Sequence, residues 1–140
     1  MMAMDFNDWN QQNIQEFRAN GGTLGGSFAG APVLLLHTFG RMSGTERVNP
    51  LMYLPHEDRV FVFASKAGAA EDPDWYRNLL AHPEVPVEIG SETRTCEARE
   101  VTGAERDRIY QEQARRYPQF AEYQKKTTRS IPVIELVSKE

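Results

Sequence analysis

The sequence predicts an α+β fold, with about six mostly antiparallel strands curled into a barrel and helices flanking it. Three observations carry that expectation. Six short runs, at residues 33–39, 47–54, 60–65, 85–89, 93–100 and 131–137, are continuously apolar or alternate with a period of two, as strands do. The links at residues 55–59 and 90–92 are too short for a crossover helix, so the strands they join are antiparallel neighbours. The helical segments interrupt the strands unevenly: helix, three strands, helix, two strands, helix, strand. That is not the strict alternation of a parallel sheet.

A chain of 140 residues, 40% hydrophobic and 26% charged, is expected to form one domain, residues 1–140, with one core. The net charge of −4 argues against a nucleic-acid-binding surface. The charge is uneven. Residues 41–69 carry four basic against three acidic side chains and residues 101–140 eight against six, whereas residues 70–100 carry three against eight. An anionic ligand is expected in the second and fourth stretches. The single cysteine, Cys96, has no partner for an intrachain disulfide, and three scattered histidines show no metal-ligand spacing. There is no membrane-length apolar run and no apolar leader at the acidic start, so a cytoplasmic location is expected.

Residues 1–20 hold an N-terminal helix, from Asp5 as cap to the Asn20-Gly21-Gly22 stop, with Phe6, Trp9, Asn13 and Phe17 near one face beside Ile14. That stripe reads as a core-packing face, as a cover for a ligand site, or as a membrane-surface face. The acidic charges speak against anionic lipid. Residues 21–31 form a glycine-rich loop. Its glycines neither follow a strand nor open a helix, so it makes a poor dinucleotide fingerprint. Residues 33–39 are the first strand, and His37 within it is expected to be structural. Residues 47–54 are the second. Pro50 cannot donate to a ladder, which predicts an edge position and leaves backbone groups of Val48, Asn49 and Leu51 for a planar heterocycle. Residues 55–59 turn the chain into the third strand.

Glu71, Asp72 and Asp74 favour a helix start, after which Trp75, Leu79 and Leu80 face inward and His82-Pro83 ends the helix. Val85, Val87 and Ile89 alternate on one face of the next strand, and Cys96 and Ala98 on its return. Thr102 to Glu105 has the capping-box pattern, opening a helix that buries Ile109, Tyr110, Ala114 and Tyr117. Pro118 interrupts it, and Phe120 and Tyr123 extend the aromatic stripe. Lys125, Lys126 and Arg129 read as a solvated face.

Two strand ends draw the charges together. Gly40-Arg41-Met42-Ser43-Gly44 with Arg47-Val48-Asn49-Pro50 is one; Ala64-Ser65-Lys66-Ala67-Gly68 is the other. Fork-shaped guanidiniums, an ammonium, hydroxyls and glycine-rich backbone suit a phosphate, and equally an ordinary pair of hairpin turns. With Pro73-Asp-Trp-Tyr-Arg-Asn-Leu79 these strings form an ordered set that resembles the deazaflavin (F420)-dependent nitroreductase family, the F420-dependent oxidoreductases of actinobacteria. The likeness runs from about residue 32 to residue 137.

The resemblance implies a split β-barrel like that of FMN-binding proteins, and an oxidoreductase that passes a hydride from reduced coenzyme F420 to a quinone-like or nitroaromatic acceptor. It implies cofactor contacts at Arg41, Met42, Ser43, Arg47, Val48, Asn49, Pro50, Leu51, Met52, Phe63, Ala64, Ser65, Lys66, Asp74, Trp75, Tyr76, Arg77, Asn78 and Phe120. It implies a substrate pocket at Tyr117, Phe120 and Tyr123, with Ser65 and Tyr123 positioning the acceptor or delivering its proton, and no metal. Nitroimidazole-reducing members often carry Tyr where Met52 and Phe120 stand, and family members often carry Lys where Met42 stands. Met42 therefore implies weaker dependence on the acidic tail of the cofactor. The alternatives are an FMN-dependent enzyme of the same fold and a non-catalytic F420 carrier. Flavin-binding split barrels commonly dimerise, and monomers are expected in this subgroup as well.

Overall fold

A computed structural model describes residues 6–139. The elements run α1 (Phe6–Ala19), β1 (Val33–Phe39), β2 (Glu46–Met52), β3 (Leu54–His56), β4 (Arg59–Phe63), α2 (Asp74–Ala81), β5 (Glu84–Ile89), β6 (Glu92–Val101), α3 (Gly103–Arg116), α4 (Gln119–Lys125) and β7 (Val133–Ser138). Asp5, the expected cap of α1, lies outside the described residues.

The strands form one seven-stranded sheet in the order β2-β1-β5-β6-β7-β4-β3, every pair antiparallel. β2 and β3 stand at opposite edges, yet only Tyr53 separates them in sequence. One residue cannot cross the width of a flat sheet, so the sheet wraps until its edges meet. The result is the seven-stranded antiparallel half-barrel of the FMN-binding split-barrel type.

The expected second strand, residues 47–54, is thus divided at Tyr53, which makes seven strands rather than six. Residues 55–59 are mostly strand, not turn: His56 pairs with Arg59 across a two-residue turn of Glu57 and Asp58, both left-handed (φ 52° and 63°). Such turns are usually marked by Asn or Gly; the hairpin expected here forms without either, on a turn shorter than the five residues read from the sequence. Of the three strand prolines, Pro50 and Pro55 fall on edge strands, and Pro86 lies on interior β5, paired with Thr95 of β6 but outside the stretch, Val87 and Glu88, that pairs with β1.

The barrel interior is filled by Leu34 and Leu36 of β1, Val62, Val85, Val87, Cys96, Ile134 and Leu136, with Trp75 and Leu79 of α2. The opposite face of β1, Val33 and Leu35, is covered by Ile14 and Phe17 of α1 with Leu24. Phe61, Phe63 and Val133 are covered by Ile109, Tyr110 and Phe120 from α3 and α4. Three sequence expectations change at helix surfaces. Leu80 is 61% exposed, and Asn78 takes the inward place beside Trp75 and Leu79. Gln113 is buried on α3, whereas Ala114 and Tyr117 are half-buried. Thr102 is the N-cap of α3 but makes no side-chain cap bond, and the Glu105 carboxylate lies 3.4 Å from Arg59.

Candidate functional site

The register of β1 against β2 sets up one wall. Tyr53 N–H donates to Pro32 O and Gly40 N–H to Thr45 O, so the odd-numbered residues of β2 bond inward to β1. Backbone groups of Val48, Pro50 and Met52 then face the open edge, and Pro50 falls in an outward position, where no ladder donor is needed. Asn49 and Leu51, expected to be free, are occupied by β1; of the three residues expected, only Val48 offers its backbone.

This edge, the 40–45 loop after β1, the 64–68 loop after β4, the start of α2, and α4 enclose a cleft of about 1150 Å³. Seventeen of the expected site residues line it: Arg41, Met42, Ser43, Arg47, Val48, Asn49, Pro50, Leu51, Met52, Phe63, Ser65, Lys66, Asp74, Trp75, Asn78, Phe120 and Tyr123. Four expected residues do not. Ala64 is fully buried in the barrel core. Tyr76 turns away from Trp75, as neighbours on a helix must, and its hydroxyl donates to Glu100. Burial and that carboxylate raise the Tyr76 pKa. Arg77 lies beside Asp74, 3.8 Å away, on the outside of α2. Tyr117 packs on the cluster beneath α3.

The cations arrive from stretches distant in sequence: Arg41 from the loop after β1 and Arg47 from the start of β2, Lys66 from the loop after β4. Arg41 is oriented by Asn78, whose Oδ1 accepts both the Arg41 backbone N–H (3.2 Å) and Nη1 (3.1 Å). Arg47 and Lys66 are exposed, and among the described residues their side chains have no ion-pair or hydrogen-bond partner. Met42, at the rim, is 95% exposed. The 64–68 loop is a distinctive piece of backbone. Ser65 is right-handed (φ −78°, ψ −38°), while Lys66, Ala67 and Gly68 are left-handed (φ 46°, 53° and 82°). A right-to-left step of this kind turns successive N–H groups to one side and makes an anion-binding concavity.

One wall of the cleft is aromatic. Phe120 packs edge-on to Phe63 (centroids 5.7 Å apart) and to Tyr123 (5.2 Å). The short helix that carries them is held by Tyr110, whose buried hydroxyl donates to Phe120 O at 2.6 Å. Burial pushes the Tyr110 pKa up to about 12, which keeps it a donor at all ordinary pH. The sequence left the role of α1 open among packing, covering a ligand site and lying on a membrane: Asn10, Gln11, Ile14 and Arg18 line the cleft, as does Trp9, 37% exposed and stacked obliquely on Phe28 at 5.8 Å. The helix both packs and covers, and only the three-dimensional placement of β2 beneath it shows the second role. Arg18 is fixed by Glu88, which also meets His37 Nε2 at 2.7 Å, giving His37 the structural role expected of it. Thr38 was missed: it lines the cleft, fully buried, with its hydroxyl unpaired among the described protein groups.

The F420H(2)-dependent quinone reductase family matches residues 9–138. The chain belongs to this family. Its activity is F420H2-dependent quinone reduction, with F420H2 as hydride donor. The chain is 35% identical over 127 residues to the F420H(2)-dependent quinone reductase Rv1261c of Mycobacterium tuberculosis, covering 86% of this chain and 83% of the relative. It is 39% identical to the solved F420-H2 dependent reductase FDR-A, with a TM-score of 0.68 over 75% of this chain and 93% of that one. HutZ, the haem storage protein of Vibrio cholerae, is 16% identical with a TM-score of 0.61, over 93% of this chain and 90% of that one. That likeness shows the split-barrel fold alone. Among the described residues no helix is long and apolar enough to cross a membrane, and no group of side chains is placed to hold a metal.

The donor set of the cleft fits F420. A phosphate and a string of carboxylates need cations without internal partners, which Arg47 and Lys66 are. A flat ring with amide edges needs apolar surface beside exposed backbone, which β2 offers along Val48–Met52.

Proposed function

We propose that the cleft holds reduced F420 with its phosphate and acidic tail at Arg41, Arg47, Lys66 and the N–H groups of the 64–68 loop, and its ring along β2 and Phe63–Ser65. We also take residues 1–140 as one F420-binding domain. The observation that carries the placement is the convergence of three cations, from two stretches far apart in sequence, on a single cleft within an acidic protein. A local positive site of this kind focuses attraction for an anion without general affinity for polyanions.

When bound, the reduced deazaflavin supplies the hydride. Everything else is positioning by the chain. Asn78 sets the Arg41 guanidinium, and Arg41, Arg47 and Lys66 fix the anionic end, so that the opposite end of the ligand has a single register along β2. Met52, Phe63 and Phe120 supply apolar wall, which excludes water from the reacting region. A quinone that accepts a hydride must also take up one proton. The hydroxyls of Ser65 and Tyr123 line the cleft and are the donors offered to the acceptor oxygen. The apolar wall suits a quinone better than a nitroimidazole: Met52 and Phe120 lack the phenol hydroxyls that would bond a nitro group.

The test is titration of the purified protein with F420 and separately with FMN, followed by oxidation of F420H2 with a naphthoquinone and with a nitroimidazole. Selective F420 binding and faster quinone turnover are expected. FMN binding alone, or binding unaffected by Lys66→Ala and Arg47→Ala together, would overturn the placement. Binding without turnover of either acceptor would favour a carrier.

A further inference from the structure

We propose that Arg129, which the sequence pattern puts on a solvated face, is a positioning residue that holds the 64–69 loop in its left-handed, anion-presenting form. The inference rests on the cleft reading above. The Arg129 side chain is only 15% exposed. Its Nε donates to Ala69 O (3.0 Å), Nη1 to Ala64 O (3.1 Å) and to Asp72 Oδ1 (2.8 Å), and Nη2 to Ser65 O (2.8 Å). One planar fork thus grips three carbonyls of a single loop and the carboxylate that follows it, a pattern no ammonium can reproduce. Arg129 is itself anchored: its carbonyl accepts from Gln124 Nε2 (2.8 Å), and Gln124 Oε1 accepts from Arg106 Nη2 (2.6 Å).

The loop needs such a clamp. Lys66 and Ala67 are non-glycine residues in the left-handed region, a conformation that persists only where its surroundings over-determine it. The geometry also gives the clamp a direction. In a trans peptide the C=O and the following N–H point opposite ways. By drawing the carbonyls of Ala64 and Ser65 toward itself, the guanidinium sends the N–H groups of Ser65 and Lys66 away. Ser65, Lys66 and Ala67 line the cleft and Arg129 does not. Arg129 therefore acts on the ligand through the loop, without touching it.

The variants are Arg129→Met and Arg129→Lys, each alone and with Ala67→Gly, since glycine adopts the left-handed form freely. In both single variants the Kd and KM for F420 are expected to rise at least about tenfold, with kcat at saturating F420H2 and the KM for a naphthoquinone within about twofold of wild type. Ala67→Gly is expected to recover most of that loss in the Arg129 backgrounds. Without any ligand, amide hydrogen exchange at Gly68 and Ala69, whose N–H groups bond Ser65 O and Lys66 O, is expected to accelerate in the Arg129 variants and to slow again with Ala67→Gly. Wild-type F420 affinity in Arg129→Lys, or no rescue by Ala67→Gly, overturns the inference. If Arg129→Met fails to fold, the Lys variant and its Ala67→Gly partner decide. If wild-type protein binds no F420, the cleft reading fails, and the ligand-free exchange experiment still judges the clamp by itself.

Discussion

Gly68→Ala is the most informative single substitution, because the loop that carries Lys66 and the helix that carries Tyr123 meet at this glycine. Gly68 has φ +82°, and a Cβ built there lies 2.8 Å from Tyr123 O and 3.0 Å from both Tyr123 Cα and Lys126 Cβ. The left-handed backbone costs an alanine about 1–2 kcal/mol. The close contacts are with backbone, which cannot rotate aside, so α4 or the loop must shift at a further cost of about 1–3 kcal/mol. The sum is roughly 2–5 kcal/mol, and in a domain of this size it lowers Tm by roughly 6–20 °C. Gly30→Ala is the control: its φ is +77° and nothing lies within 4 Å, so only the backbone cost applies, about 1–2 kcal/mol. Urea unfolding of the two variants isolates the steric part as their difference. In the folded fraction of Gly68→Ala, the KM values for F420H2 and quinone are expected to rise together, because the shift separates the two halves of the site. A Gly68→Ala variant no less stable than Gly30→Ala, with both KM values unchanged, would refute the argument.

Arg47→Ala and Lys66→Ala are each expected to weaken F420 binding about tenfold. Because neither side chain has a partner among the described residues, Tm is expected to move by less than about 1 °C; a larger loss of stability, measured calorimetrically, would show that they serve the fold. Met42→Lys adds a cation at the exposed rim, so F420 binding is expected to tighten and to fall more steeply with salt; equal salt slopes in the two proteins would remove the tail from this edge of the cleft. Glu88→Gln tests the anchor of α1. Hydrogen bonds from Arg18 hold the Glu88 carboxyl below its ordinary value of 4.5, with His37 adding to the effect against the opposing pull of burial. A depressed carboxylate stabilises the fold fully above its unfolded pKa, and that contribution disappears as pH falls through the folded pKa. The wild type is therefore expected to exceed Glu88→Gln by about 1 kcal/mol at pH 7, discounted for the half-exposed Arg18, with the two curves converging in acid. A gap that persists at pH 3 would contradict the assignment.

Much of the site could be read along the chain because its residues come in local strings. Arg41 to Ser43, Arg47 to Met52 and Ser65 with Lys66 each follow a strand end, and strand ends are legible from apolar runs and glycine turns. Helical periodicity was less decisive at the boundaries. It put Leu80 inward where the helix presents Asn78, and it passed over Asn78 as an orienting residue for Arg41 although the family string contains it. Trp9 fell on the predicted apolar face of α1, but at the edge of that face, where a side chain meets the cleft rather than the core. Arg129 was the sharpest misreading. Two lysines precede it and its partners lie about sixty residues away, so nothing in its neighbourhood distinguishes a clamp from a solvated charge.

The sequence by itself determined the class of fold, the strands and their hairpins, the edge position demanded by Pro50, and the strings that mark an F420-dependent reductase. These are properties of period, turn chemistry and local residue order, all of which act within a few residues. The tertiary structure alone decided how the sheet closes, which backbone groups of β2 remain free, and that α1 roofs the cleft. It also decided that Arg129 grips the left-handed loop. Each of these depends on which distant segments meet when the two edges of one sheet, joined through Tyr53, are drawn together around a common core.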